Sequence, residues 1–405
     1  MMSRRIYHIS LLTAWAVAAL LLSACSADGN SELAVPDVDR QPVAFSATMA
    51  AGQSETVTRA AQGVIDEAGL KTSTGFGVFA CYTGLRKYGF VDAQPDFMYN
   101  EKVTWDDGTG KWVYSPLKYW PNGEGVVDGS TGDAPHYLSF MAYAPYSDMS
   151  TGYAGYCISS MSYQHEVGNP WITYRLHSDV TRQVDLLCAA PLIDQTKTTI
   201  NAPLTFAFQH ALACAGNKVT VKCSDVMKST VVARPGTGVS KVEVQLTALS
   251  IDYTLTEKAR LILWNNGTPN WQTINSGQTT TTRHIDYAPG THVLHSHNGT
   301  SADGSAFEDN DKGVFYIPTH LGGQPQTAVV TLTYQVVRYA SAEPTTPIVE
   351  RTRTVSTTLT LSDYPDAYQP GRTLDYELTI HDNTLTLTAG INNWTTVNQG
   401  EFIAE

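Results

Sequence analysis

The chain is 405 residues long, 42% hydrophobic and 16% charged, with a formal net charge of −12. A chain of this length holds about two to three domains and buries enough core to fold without disulfide staples. The acidic balance excludes binding nucleic acid or an anionic membrane through charge, and favours solubility at a surface.

At the N-terminus, Arg4 and Arg5 precede an apolar run from Leu11 to Leu22 that ends in small residues. This is the succession of a secretory signal, and the run is short for a spanning helix. Leu22-Ser23-Ala24-Cys25 resembles a bacterial lipobox, in which cleavage follows Ala24 and Cys25 is acylated as the mature N-terminus. Residues 1–24 are then a signal peptide. Residues 25–42, rich in Ser, Asp, Glu, Pro and Asn, read as a flexible tether. No second apolar stretch is long enough to span a bilayer, so attachment rests on Cys25 alone. The remaining cysteines, Cys81, Cys157, Cys188, Cys214 and Cys223, are odd in number and show no CxxC spacing. Several lie in apolar runs, which fits buried free thiols; a Cys214–Cys223 bridge stays open.

Alternation begins at Val43 to Thr48, a first strand, and a Gly/Ser/Thr-rich segment then leads to Val57-Thr58-Arg59-Ala60. Segments of that composition are where proteases cut. Gly75 to Tyr82 reads as a buried strand. Lys102 to Trp105 and Lys111 to Tyr114 flank Asp106-Asp107-Gly108-Thr109-Gly110, a hairpin signal. Further strands are expected at Tyr137–Tyr143, Trp171–Leu176 and Val184–Ala190. After a polar segment, another series begins at Leu204–His210 and continues through Lys218–Cys223, Val242–Leu249 and Ala259–Trp264. Val314–Pro318, Ala328–Arg338, Val355–Leu361, Leu374–Ile380 and Leu385–Ala389 complete it. Long amphipathic helices are almost absent. Short strands at regular spacing with turn residues between them indicate sandwiches. The expected organisation is all-β, with two domains, 43–200 and 201–405.

The order of these segments resembles the fimbrillin family, lipoprotein pilus subunits of anaerobic Gram-negative bacteria. Its marks are the lipobox, the first strand followed by Thr58-Arg59-Ala60, Phe76-Gly77-Val78-Phe79, and Tyr119-Trp120-Pro121. Leu138 to Pro145, Asp185-Leu186-Leu187, Phe206 to Ala213, Phe315 to Pro318, Pro370-Gly371-Arg372 and Ile391 to Trp394 complete the set. The resemblance implies two transthyretin-like antiparallel β-sandwich domains in tandem, on an outer-membrane lipoprotein that builds fimbriae and supports adhesion. It also implies an arginine-specific surface protease that cuts between Arg59 and Ala60. The strand carrying Val43 and Phe45 then leaves, and a strand from the C-terminal region of another subunit replaces it. Leu385, Leu387, Phe402 and Ile403 are the donor residues so implied. The partners are other fimbrial subunits, joined head to tail, and a receptor on a host or bacterial surface.

No enzyme motif or cofactor site emerges. His295 and His297 would share a strand face near His292, yet no further zinc ligand has convincing spacing. Asp309-Asn310-Asp311-Lys312-Gly313 lacks the Glu that finishes a calcium loop. Asn122, Glu124, Asp128 and Asp133 crowd a Gly-rich loop and are explained by solvation. His210, at the end of an apolar strand, reads as a satisfied core or domain-junction histidine. Trp105, Trp112, Tyr114, Tyr119 and Trp120 are read as core and cross-strand pairs, against the alternative of an aromatic platform for sugars. That platform would belong to a monomeric surface glycan-binding lipoprotein, the alternative function.

Overall fold

The computed structural model describes residues 41–50, 64–89, 92–121, 136–149, 157–197, 202–274, 279–319, 325–382 and 384–393. Ala24, Cys25, Arg59, Ala60, Phe402 and Ile403 lie outside these residues, as do Asn122, Glu124, Asp128 and Asp133. The regular structure is nearly all β; the two α-helices described, α1 (Glu67–Thr72) and α2 (Asp225–Thr230), are only six residues each. Both start on a side-chain cap: Asp66 accepts from the Gly69 N–H at 2.6 Å, and Ser224 from the Met227 N–H at 3.2 Å.

Strands are numbered along the chain. The first sheet runs β1 (Phe45–Met49), β10 (Leu204–His210), β8 (Leu187–Ala189), β5 (Tyr137–Ala144), β2 (Phe76–Gly84), β3 (Met98–Asp106) and β4 (Lys111–Val113). β9 (Leu192–Gln195) pairs with β5. A second sheet runs β18 (Phe307–Asp309), β11 (Ala213–Cys223), β22 (Arg372–Ile380) and β23 (Leu385–Asn393), with β19 (Val314–Tyr316) on β11. In the third, β17 (Ala302–Asp303), β16 (His292–His297), β12 (Val239–Thr256), β20 (Thr327–Ala340) and β21 (Pro347–Thr360) follow one another, and β15 (Thr280–Asp286) pairs with β12. The fourth is β14 (Asn270–Gln272), β13 (Lys258–Ile262), β7 (Trp171–Arg175) and β6 (Ile158–Met161).

Burial follows position in the sheet. β5, in the middle of the first sheet, is buried from Leu138 to Ala144, and so it reads as one apolar run. Its neighbour β2 is likewise buried from Phe76 to Cys81. Their side chains alternate between two cores: Phe76, Val78, Phe140 and Ala142 point into one, and Phe79, Met141 and Tyr143 into the other. The first core also holds Val43, Phe45, Phe206 and Phe208. The second, larger core continues from Phe79 through Ile172 and Tyr174 to Leu246, Tyr334 and Leu378. From Gln41 on, the described residues form one compact unit.

The expected hairpin forms between β3 and β4, with Trp105 opposite Trp112. Asp106 closes its turn by accepting from the Gly108 N–H at 2.9 Å and the Thr109 hydroxyl at 2.7 Å. β10, which a division near residue 200 assigns to the second half, hydrogen-bonds into the first sheet between β1 and β8. The reason is its inward row of Leu204, Phe206 and Phe208, which completes the apolar layer around Phe45. β12 is longer than Val242–Leu249, because bulges interrupt the alternation by which a strand is read. β21 differs from the rest. It pairs with β20 alone among the described residues, and apart from Leu359 no side chain along it is fully buried. Cys81, Cys157, Cys188, Cys214 and Cys223 are free and buried, and burial pushes the Cys188 and Cys223 thiols up to about 12.

Candidate functional site

The strand that begins the described chain sits in a slot. β1 lies at the edge of its sheet and runs parallel to β10, with Phe45 beside Leu204, Ala47 beside Phe206 and Met49 beside Phe208. Its inward row is buried throughout: Val43, Phe45, Ala47 and Met49 are 1–6% exposed. That depth is unusual for an edge strand, whose sequence more often carries charge or proline to discourage pairing. The expected strand Val43 to Thr48 is displaced by a residue or two, and Val43 flanks it.

Aromatic rings form the slot. The Phe45 ring stacks on Phe206 with centroids 5.7 Å apart, meets Tyr114 at 5.4 Å and the edge of Phe140 at 5.8 Å. Behind them, Phe76 packs on Trp112 at 5.0 Å and on Phe208 at 5.4 Å. Backbone bonds fasten both ends of the strand. The Leu204 N–H donates to Ala44 O at 2.8 Å, and the Ala50 N–H to Phe208 O at 2.7 Å. On the side away from β10, the Val43 N–H donates to Lys118 O at 2.9 Å and the Trp120 N–H to Gln41 O at 3.0 Å. The Tyr114 hydroxyl donates to Val43 O at 2.7 Å, and burial raises its pKa to about 12. Withdrawing residues 43–49 would therefore leave an apolar trough with an unpaired backbone along β10.

Of the aromatic residues that could have formed a sugar platform, Trp112, Tyr114 and Trp120 are buried, and Trp112 and Tyr114 help to form this slot. Trp105 is half-buried beneath the Lys71 ammonium, and Tyr119 is exposed, bridging to Pro42. The aromatic wall was visible in the sequence as a cluster. Its relation to β1 was not, because only the fold brings Tyr114 and Phe206 into contact with Phe45.

The other predicted strand, β23, occupies the edge of the second sheet and pairs antiparallel with β22 over its whole length. Leu385, Leu387, Ala389 and Ile391 are half-buried against the larger core, while Thr386, Thr388 and Gly390 are exposed. Leu385 and Leu387 are thus engaged within their own chain. The slot and this strand belong to different sheets.

The histidines of β16 do not gather. A bulge at Leu294 shifts the register, so that Val293 and His295 pair with adjacent residues of β12. His295 and His297 line one cleft of about 590 Å³, and His292 lines another of about 610 Å³. The His295 Nε2–H donates to Val231 O at 3.1 Å, and burial lowers its pKa. Among the described residues no group of three or more such side chains is placed to hold a metal. No described helix is long and apolar enough to cross a membrane.

No family model matches the chain, and no curated relative matches it. Among solved structures it is similar to a fimbrial protein from Bacteroides vulgatus, with a TM-score of 0.62 and 21% identity over 88% of this chain and 100% of that one. Fainter likenesses are to a candidate cell adhesion protein from Bacteroides uniformis (TM-score 0.40, 14% identity, 89% of this chain and 100% of that one) and to the fimbrial anchor protein Mfa2 from Porphyromonas gingivalis (TM-score 0.36, 12% identity, 87% and 98%). The first establishes a shared all-β sandwich fold across most of the chain; the other two are too slight to bear weight.

Proposed function

We propose that this chain is a fimbrillin-type subunit of a cell-surface filament, carried to the outer membrane by a lipid on Cys25 and assembled by replacement of β1 with a strand from another subunit. The observation that carries this reading is β1 itself: a short edge strand with its whole apolar row buried, followed in sequence by the segment that holds Arg59. The fold shared with the B. vulgatus fimbrial protein supports it.

The energetics suit exchange. Burying Val43, Phe45 and Met49 contributes roughly 5–9 kcal/mol. Ordering the backbone costs about 1–2 kcal/mol per residue. While the segment is continuous with the chain, that ordering is shared with the fold. Once a surface protease cuts between Arg59 and Ala60, the strand stays only by its own contacts, and the two quantities are of the same size. A strand of similar pattern, delivered by a neighbour, then displaces it by β-augmentation. Such a head-to-tail contact does not close, so it propagates.

The donor region, residues 385–405, starts with the pattern of the strand it replaces and needs its terminal residues to be complete. Leu385, Leu387, Ala389 and Ile391 have the same spacing as Val43, Phe45, Ala47 and Met49, with alanine third in both rows. Phe402 and Ile403 follow further along the chain as the remaining donor residues. A receptor on a host or bacterial surface would be met by the assembled filament.

The test is to incubate the purified mature protein with an arginine-specific protease. The expected outcome is a new N-terminus at Ala60, loss of the fragment carrying Phe45, and ladders of polymer on denaturing gels. Deleting residues 398–405 leaves a folded monomer that no longer donates. A trimmed protein that stays monomeric and binds polysaccharide would instead select the glycan-binding lipoprotein.

A further inference from the structure

Where the described chain resumes after β1, a buried Asp–His hydrogen bond holds it. Asp185 lies just before β8, and His210 is the last residue of β10; their side chains are 0% and 2% exposed. The His210 Nδ1–H donates to Asp185 Oδ2 at 2.6 Å. The same oxygen accepts the backbone N–H of Ile65 at 3.2 Å. Ile65 is buried in the apolar cluster that contains Phe45 and Met49, and the next residue, Asp66, caps α1, whose Leu70 is fully buried.

The pair stands at the end of the slot. Along β10 the inward row is Leu204, Phe206, Phe208 and His210, and the last β1 residue in register is Met49, beside Phe208. The next inward position is therefore polar. It is also costly. Asp185 Oδ1 is buried with no hydrogen-bond partner among the described residues, and leaving a buried carboxylate oxygen unsatisfied is unfavourable. Apolar side chains of similar volume would often pack at such a site without loss. What they would not do is hold the N–H of Ile65.

We infer that Asp185 and His210 act as a clasp, positioning Ile65 so that withdrawal of β1 stops there and residues 64–72 stay folded. This rests on the strand-removal reading, since a clasp at this point matters only if the preceding strand leaves. Asp185 acts through its bond to Ile65, and His210 acts through Asp185 by fixing its carboxylate. The trough vacated by β1 thus has one closed end, and an incoming strand has a fixed point against which its register is set.

Amide hydrogen exchange on the uncut mature protein tests the clasp. In Asp185→Ala, exchange in residues 64–72 is expected to rise about 10- to 100-fold, the loss of one hydrogen bond to a charged group, with residues 45–49 unchanged. His210→Leu gives a similar rise, and His210→Gln, which retains an N–H donor, restores protection. Unchanged exchange at Ile65 overturns the inference. So does an equal rise across β1, β8 and residues 64–72, which marks general loss of the core. Should Asp185→Ala fail to fold, Asp185→Leu, which fills a similar volume and offers no acceptor to the Ile65 N–H, carries the same comparison.

A second measurement separates this inference from the reading it rests on. After arginine-specific cleavage, the wild-type chain beginning at Ala60 is expected to resist a lysine-specific protease at Lys71, and the Asp185→Ala chain to be cut there. Equal resistance in both overturns the clasp. If β1 stays bound after the first cut, strand removal falls, while the exchange result still decides the clasp.

Discussion

β1 and β23 are both edge strands with an apolar row on one face, yet they are held in different ways. β1 has a short parallel ladder and an inward row at most 6% exposed, wrapped by Phe206, Tyr114 and Phe140. β23 has a longer antiparallel ladder from Leu385 to Asn393 and an apolar row that is only half-buried. The first is held mainly by side chains, the second mainly by backbone. Removing a strand of the first kind leaves apolar surface that water cannot satisfy, whereas removing one of the second kind leaves N–H and C=O groups that water can. An acceptor site is better built from the former and a donor from the latter.

The largest effect expected from this contrast is at Phe45. Phe45→Ala should lower stability by about 3–5 kcal/mol in chemical denaturation, as for a fully enclosed aromatic ring. Leu387→Ala should cost about 1 kcal/mol, because half of that side chain is already in water. Equal losses at the two positions would break the comparison. The smallest effect concerns pH. The unfolded Tyr114 hydroxyl ionises near 10, and in the fold it holds its proton up to about 12. Its contribution is therefore complete below about pH 10 and is lost as pH rises through about 12. Alkaline titration should loosen β1 in wild type more than in Tyr114→Phe. Identical profiles would mean that the Tyr114–Val43 bond does not help to hold the strand.

Much of the fold could be read from the sequence because alternation and continuous apolar runs report burial directly. β10 was expected over the residues it occupies, and the β3–β4 turn was marked by its Asp and Gly residues. Long-range pairing was not legible. Nothing local in Val43 to Met49 says that its partner begins at Leu204, or that the pairing is parallel. Bulges were invisible for a related reason: the extra residue at Leu294 sets Val293 and His295, two apart in sequence, against adjacent residues of β12, an offset that period-two alternation does not reveal. His210 was legible as a satisfied core histidine, but its link through Asp185 to Ile65 joins residues 25 and 120 positions apart in sequence and needed the fold.

A sheet edge left open to solvent can pair with another chain unless its sequence discourages it. β21 is long, exposed and unpaired on its outer side among the described residues, the geometry that invites adventitious fibre growth. Its middle carries Arg351 and Arg353. In a two-fold antiparallel association of two such strands, residues on the same face must oppose one another. Registers centred on 351, 352 or 353 then set arginine against arginine across the new seam. That repulsion works against edge-to-edge pairing of two copies through β21, with Arg353 the fuller contributor because Arg351 also pairs with Asp382 at 2.7 Å.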